Sequence, residues 1–282
     1  MLSRSYFFKI IRRLHSGLYL MTEPLLRLST EEKDGNLYKS TYFKFLVCPT
    51  IKLPYKLGRS VRGVQFEGSK DVYSKVVVKI LENKPLDEIT RKLHKKYQDC
   101  KHKSVHDINN FLSSSKIKSQ PSWLMIYPWE NTNHMELRES YLNSFYHNRS
   151  ANGMSFTNMK LGYIEDRMTS YDAARSHILQ FKNLIDNIKR HGYIENHDDY
   201  PTVVILIKDN KWKWMMSSSG NHRAHIKKEL NFNSINCKII GIVNLSDIKN
   251  YKNVVNETFN EEEATILFEN AFEGKIPIRG VL

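Results

Sequence analysis

The residues best equipped for chemistry stand together between positions 217 and 225: Ser217, Ser218, Ser219, Gly220, Asn221, His222, Arg223, Ala224 and His225. Serines and asparagine supply short hydrogen-bonding groups, and glycine permits the tight turn that brings them round. A turn that feeds a helix also leaves the first helical amides without intrahelical acceptors, which favours an anion there. Arg223 can grip a phosphate or carboxylate with two donors. His222 can donate, accept or position a proton. Together these groups form an anion cradle. The competing reading is a capped helix that exposes a histidine and an arginine.

Such a cradle must be held by regular elements, and the flanking sequence supplies them. Apolar residues at 203–207 and alternating ones at 211–216 predict a hairpin around Asp209 and Asn210. Trp212, Trp214 and Met216 share one strand face. Upstream, Ala174, Ile178, Phe181, Leu184, Ile185 and Ile188 form one stripe of a helix over 171–190. Lys189, Arg190 and His191 suit its C-terminal end, and Gly192 suits its stop. The loop from Tyr193 to Pro201 then offers a second edge to the cradle. Downstream come a helix over 224–230, a strand over 237–243 and a last helix over 261–272.

The first half of the chain is less orderly. A strand is expected within 38–47. Residues 57–63 make a basic glycine-containing turn that lacks the phosphate-loop spacing, and an ordinary loop is the preferred reading. Residues 72–81 suit a strand or a helix, and 86–98 a helix with Arg91, Lys92, Lys95 and Lys96 on its polar face. With Lys101, His102 and Lys103 this is the densest basic patch. A short helix is expected within 105–112, and the polar stretch 113–120 is a soft boundary. A buried strand is expected over 124–127, leaving Trp129 and Glu130 at its exit, where side chains converge on pockets. Glu136 follows in a segment that can turn helical. Four regions result: a basic amphipathic segment 1–21, an α/β region 22–120, a core 121–245 and a helical tail 246–282.

The chain has 282 residues, 40% of them hydrophobic, and a formal charge of +13 from 43 basic and 30 acidic side chains. That excess favours a polyanionic partner: nucleic acid, a phosphorylated substrate or an anionic membrane. Three scattered cysteines, Cys48, Cys100 and Cys237, exclude a disulfide framework and a cysteine zinc site. A reducing, cytoplasmic setting is the simple reading. No apolar run is long enough to span a membrane. Residues 1–21 carry Arg4, Lys9, Arg12, Arg13 and His15 with no acid. They suit a helix lying on an anionic membrane or a partner, an organelle presequence, or a helix docked on the body.

A helix ending at Gly192, Pro201 before an apolar strand, a hairpin strand, the Gly220-Asn221-His222-Arg223 turn and a final strand resemble the ParB/sulfiredoxin-like superfamily. The resemblance covers roughly 150–245, extending to 121 at its widest. It implies an α+β fold with a mixed-sheet core and, here, an N-terminal α/β extension. It implies that Ser218, Ser219, Gly220, Asn221, His222 and Arg223 hold nucleotide phosphates, with Gly192 and Pro201 shaping the nucleotide edge. Sulfiredoxin-type chemistry needs a cysteine where Asn221 stands, so sulfinic-acid reduction is not expected. The stretch after 245 is too short for the helix-turn-helix domain of partition proteins.

The expected function is therefore a nucleotide-dependent phosphotransferase or NTP hydrolase, taking ATP or another nucleoside di- or triphosphate with Mg2+ and an unidentified small-molecule acceptor. In the kinase branch an acid opposite the turn activates the acceptor, and Glu130, then Glu136, are the candidates. His222 and Arg223 would stabilise the phosphate charge. The alternative is a nucleic-acid-binding protein or ParB-like nuclease. A further alternative is a noncatalytic module that binds a partner or a membrane surface.

Overall fold

In a computed structural model the described residues are 50–61, 63–68, 71–98, 104–109, 111–112, 115–120, 126–130, 171–194, 200–217 and 219–275. The expected N-terminal helix, the strand within 38–47, Glu136, Ser218, Lys101, His102 and Lys103 lie outside them. In chain order the strands are β1 (Thr50–Pro54), β2 (Gly58–Arg59), β3 (Thr202–Lys208), β4 (Lys211–Met216) and β5 (Ser234–Asn244). The helices are α1 (Val72–Leu81), α2 (Leu86–Gln98), α3 (Val105–Ile108), α4 (Ser115–Lys118), α5 (Tyr171–His191), α6 (Asn221–Glu229), α7 (Lys252–Val255) and α8 (Glu261–Glu273). The fold is α+β, built on a mixed sheet.

The five strands lie in the order β1-β5-β3-β4-β2. β3 and β4 form the expected antiparallel hairpin. Asp209 and Asn210 turn it with φ of 50° and 59°. Positive φ at both central residues defines the turn whose twist matches that of the strands. β5 returns parallel to β3, with a register shift at Val203/Val204. β1 adds antiparallel to β5, and β2 parallel to β4. The soft boundary at 113–120 therefore falls between segments that share one sheet.

Strand alternation decides what covers each face. Val203, Ile205, Ile207, Trp214 and Met216 meet Ile51, Leu53, Tyr55, Phe66 and Ala224 on one side. Leu206 and Met215 meet Tyr127, Leu267, Phe268 and Phe272 on the other. So α6 covers the first face and α8 the second. Beyond α6, its Ile226 joins a helical cluster of α1, α2 and α5 that includes Val77, Ile89, Leu93, Ile178 and Phe181.

Local signals explain most boundaries. Asp71 caps α1, its side chain accepting from the Tyr73 amide, so residues 72–81 form a helix rather than a strand. α5 spans 21 residues and ends at Gly192, whose φ is 74°. Asn260 and Glu263 form a capping box at the start of α8, and left-handed Gly274 closes it. Two expectations change. Ile126 and Tyr127 are buried but do not pair with the sheet. Gly58 and Arg59, expected in an ordinary loop, form edge strand β2. A Cβ on Gly58 would stand 2.3 Å from the Trp214 ring, so the missing side chain makes room for it. Arg59 is 3% exposed, and its Nε and Nη2 donate to the Phe272 carbonyl at 3.1 and 2.6 Å.

Candidate functional site

The Ser217–Arg223 turn sits where β4 leaves the sheet. Ser217 extends the hairpin ladder by donating its amide to Thr202 O at 2.8 Å. Gly220 then adopts left-handed φ of 81° and becomes the N-cap of α6, with no side-chain capping bond. A Cβ there would lie 2.5 Å from Pro201 Cβ and 2.7 Å from Pro201 Cα. Glycine is thus required twice, by conformation and by space. Pro201 cannot easily yield, because its carbonyl accepts from the Lys238 amide of β5 at 2.8 Å. Gly220 and Pro201, far apart in sequence, are in direct contact on one rigid edge. The Ala224 amide returns to Gly220 O at 3.0 Å, and the amides before it are the ones a helix start leaves without intrahelical acceptors. Asn221 Oδ1 is buried and accepts no hydrogen bond.

His222, expected with Arg223 to stabilise phosphate charge, is enclosed by aromatic rings. Its ring lies 4.7 Å from Phe181, 4.9 Å from His177 and 5.1 Å from Tyr73, measured between centroids. Burial, and then neighbouring His225, pull its pKa down to about 4. At neutral pH it is uncharged, so it offers hydrogen bonding without positive charge. Arg223 is partly buried and supplies the cation of the turn. Ser219 is also partly buried.

Two residues outside the expected set hold α6 in place. His225 is fully buried, and its Nδ1 shares a 2.9 Å hydrogen bond with Ser74 Oγ, while its Nε2 approaches Asp71 Oδ1 at 3.6 Å. The trio has the membership of a hydrolytic triad. Yet Ser74 is 1% and Asp71 5% exposed, so no substrate reaches the hydroxyl. It fastens α6 to the start of α1 instead. Lys227, 4% exposed, lies 3.8 Å from the Tyr193 ring centroid and 5.0 Å from that of Phe232. That cation–π contact ties the chain just after Gly192 to α6. At Gly192 itself a Cβ would meet open space, so glycine serves conformation alone. No spacing rule links 225 to 71 and 74, or 227 to 193. The one legible hint was the polar and charged character of a helix whose other neighbours are core residues.

Glu130 is a correction. Its Oε2 accepts from the Tyr127 amide at 3.1 Å, and its carbonyl accepts from Asn253 Nδ2 at 2.9 Å. Tyr127 and the partly buried Trp129 pack into the core beneath α8, whereas the glycine turn opens α6 on the opposite sheet face. Glu130 is therefore anchored in the α7–α8 layer as a structural acceptor, and does not form the opposite wall of the turn. Among the described residues no group of three or more His, Cys, Asp or Glu could hold a metal ion. Among them, too, no helix is long and apolar enough to cross a membrane. Cys237, on β5, is buried in the core on the α6 side of the sheet.

Comparison with known proteins adds no relative: no family model, curated protein or solved structure matches this chain.

Proposed function

We propose that the Ser217–Arg223 turn binds the phosphates of a nucleotide, and that the protein is a nucleotide-dependent phosphotransferase or NTP hydrolase of the ParB/sulfiredoxin-like kind. The contact between Gly220 and Pro201 carries this reading. It brings Pro201, which the resemblance assigns to the nucleotide edge, against Gly220 of the phosphate turn, with the helix start left uncapped by any side chain. The donor set suits a phosphate: amides of the first turn of α6, Ser219 and the Arg223 guanidinium. The buried Asn221 Oδ1 suits a bound water at the start of α6.

In this role the chain's own residues position and neutralise rather than react. Arg223 offsets charge on the transferring phosphate, and Gly220, held on Pro201, fixes where the amides point. His222, neutral at pH 7, completes the floor of the turn through its ring contacts. Magnesium would accompany the nucleotide, held chiefly by phosphate oxygens and water, since the described residues offer no acidic cluster.

The test is a binding screen by thermal shift with ATP, ADP, CTP and GTP, each with and without Mg2+. A rise with at least one nucleotide is expected. A flat response to all four would sink the nucleotide reading.

A further inference from the structure

The sheet separates two layers of opposite charge. The helical layer on the α6 side, residues 71–98, 171–191 and 221–229, carries fourteen Lys or Arg against seven Asp or Glu. On the α8 side, residues 245–275 carry three against seven, and the described residues of 104–130 that pack with them carry two of each sign. Positive charge is therefore not spread evenly over the described residues: the α6-side helices carry a net +7 and residues 245–275 a net −4.

On the α6 side, Arg175, Lys182 and Lys189 recur every seventh residue along α5. Seven residues make nearly two whole turns, so the three share one flank of the helix over about 21 Å. Arg175 and Lys189 are exposed, while Lys182 is ion-paired to Asp186. The stripe continues onto α2. Exposed Arg91 and Arg175 both act electrostatically on the Tyr171 hydroxyl, which donates to Asp87 at 3.3 Å. Arg91, Arg175 and Lys189 thus form a fixed row of cations on two packed helices, with Asp87, Asp172 and Asp186 as the acids along it.

We infer that this α2–α5 face docks the phosphodiester backbone of a nucleic acid. A row of cations along a 21-residue helix and its packed neighbour matches a linear polyanion. A membrane surface is matched less well, because a helix that lies on lipid presents an apolar face. The apolar stripe of α5 is spent inside: Ala174, Ile178, Phe181, Ile185 and Ile188 are all buried. Among the described residues of α1, α2 and α5, Leu179 is the one exposed large apolar side chain. The contact reads charge and not base identity, so binding is non-specific and governed by counterion release. It does not use the Ser217–Arg223 turn, and the two are probed by different variants and different ligands.

The experiment is fluorescence anisotropy of the full chain with a duplex of about 25 base pairs and its single strand, from about 50 to 200 mM salt. Binding is expected with log K falling linearly against log salt. The triple variant R91Q/R175Q/K189Q should lower the duplex slope by about 3, close to 0.9 for each phosphate that is no longer neutralised. K249Q/K252Q/K275Q removes the same charge from exposed sites on the α8 side and should leave the slope unchanged. Thermal midpoints of both variants report that they fold. Three results would overturn the inference: no binding to either strand form at the lowest salt, equal weakening in the two triple variants, or phosphatidylserine vesicles displacing the duplex.

Discussion

His222 shows how burial changes what a residue can contribute. A histidine beside an arginine in a polar turn can donate, accept or position a proton. Enclosed by Tyr73, His177 and Phe181, it is held neutral. Its pKa of about 4 lies below the ordinary 6.5. Between those values the unfolded chain binds more protons, so stability is complete above pH 6.5 and falls as pH drops towards 4. The loss tied to this ring is at most about 3 kcal/mol. Denaturant unfolding of wild type and His222→Gln at about pH 7 and pH 4.5 checks it: acid should cost the variant less. Equal losses would mean that His222 is not the titrating group. The two glycines give a second contrast at this scale. Gly192→Ala should cost about 1 kcal/mol, from positive φ alone. Gly220→Ala should cost at least about 2 kcal/mol, because strain is joined by collision with Pro201. Thermal midpoints rank the two.

At the scale of elements, the legible parts were those with local signals. The β3–β4 hairpin follows from Asp209 and Asn210 between apolar runs, and α5 from its stripe and Gly192. What could not be read was pairing across long separations. The bond from Ser74 to His225 spans 151 residues, and that from Arg59 to Phe272 spans 213. Neither leaves a periodic trace, and a basic Gly58-Arg59 pair gives no sign that it will be an edge strand. Residues 72–81 were ambiguous because three consecutive valines suit a strand, and the cap from Asp71 decides for helix. Arg59 is the element-scale test. Removing its two bonds to the Phe272 carbonyl leaves the end of α8 unsatisfied, so Arg59→Ala should lose about 2–4 kcal/mol in denaturant unfolding. A loss below about 0.5 kcal/mol would show that water replaces the guanidinium.

For the whole molecule, one mixed sheet gathers strands from residue 50 to residue 244 and separates a basic layer from an acidic one. The positive excess was plain in composition, but its segregation needed the sheet, because the two layers alternate along the chain. The glycine turn lies on the basic side, which raises the local attraction for any phosphate ligand. Of the residues expected at the site, Gly220 and Pro201 meet, whereas Glu130 belongs to the other layer. That division follows the two faces of the sheet: Tyr127 and Trp129 pack with α8 on one, and Ala224 of α6 packs on the other.

The most direct measurement is the ATP–Mg2+ dependence of the thermal midpoint for wild type and Arg223→Ala. At a ligand concentration of about 100 Kd the wild type should gain about 2.7 kcal/mol. For a chain of this size that corresponds to roughly 5 °C or more. The variant should show no rise with nucleotide, measured from its own midpoint without it. An equal rise in both proteins, or none in either, would contradict a phosphate site at the Gly220 turn.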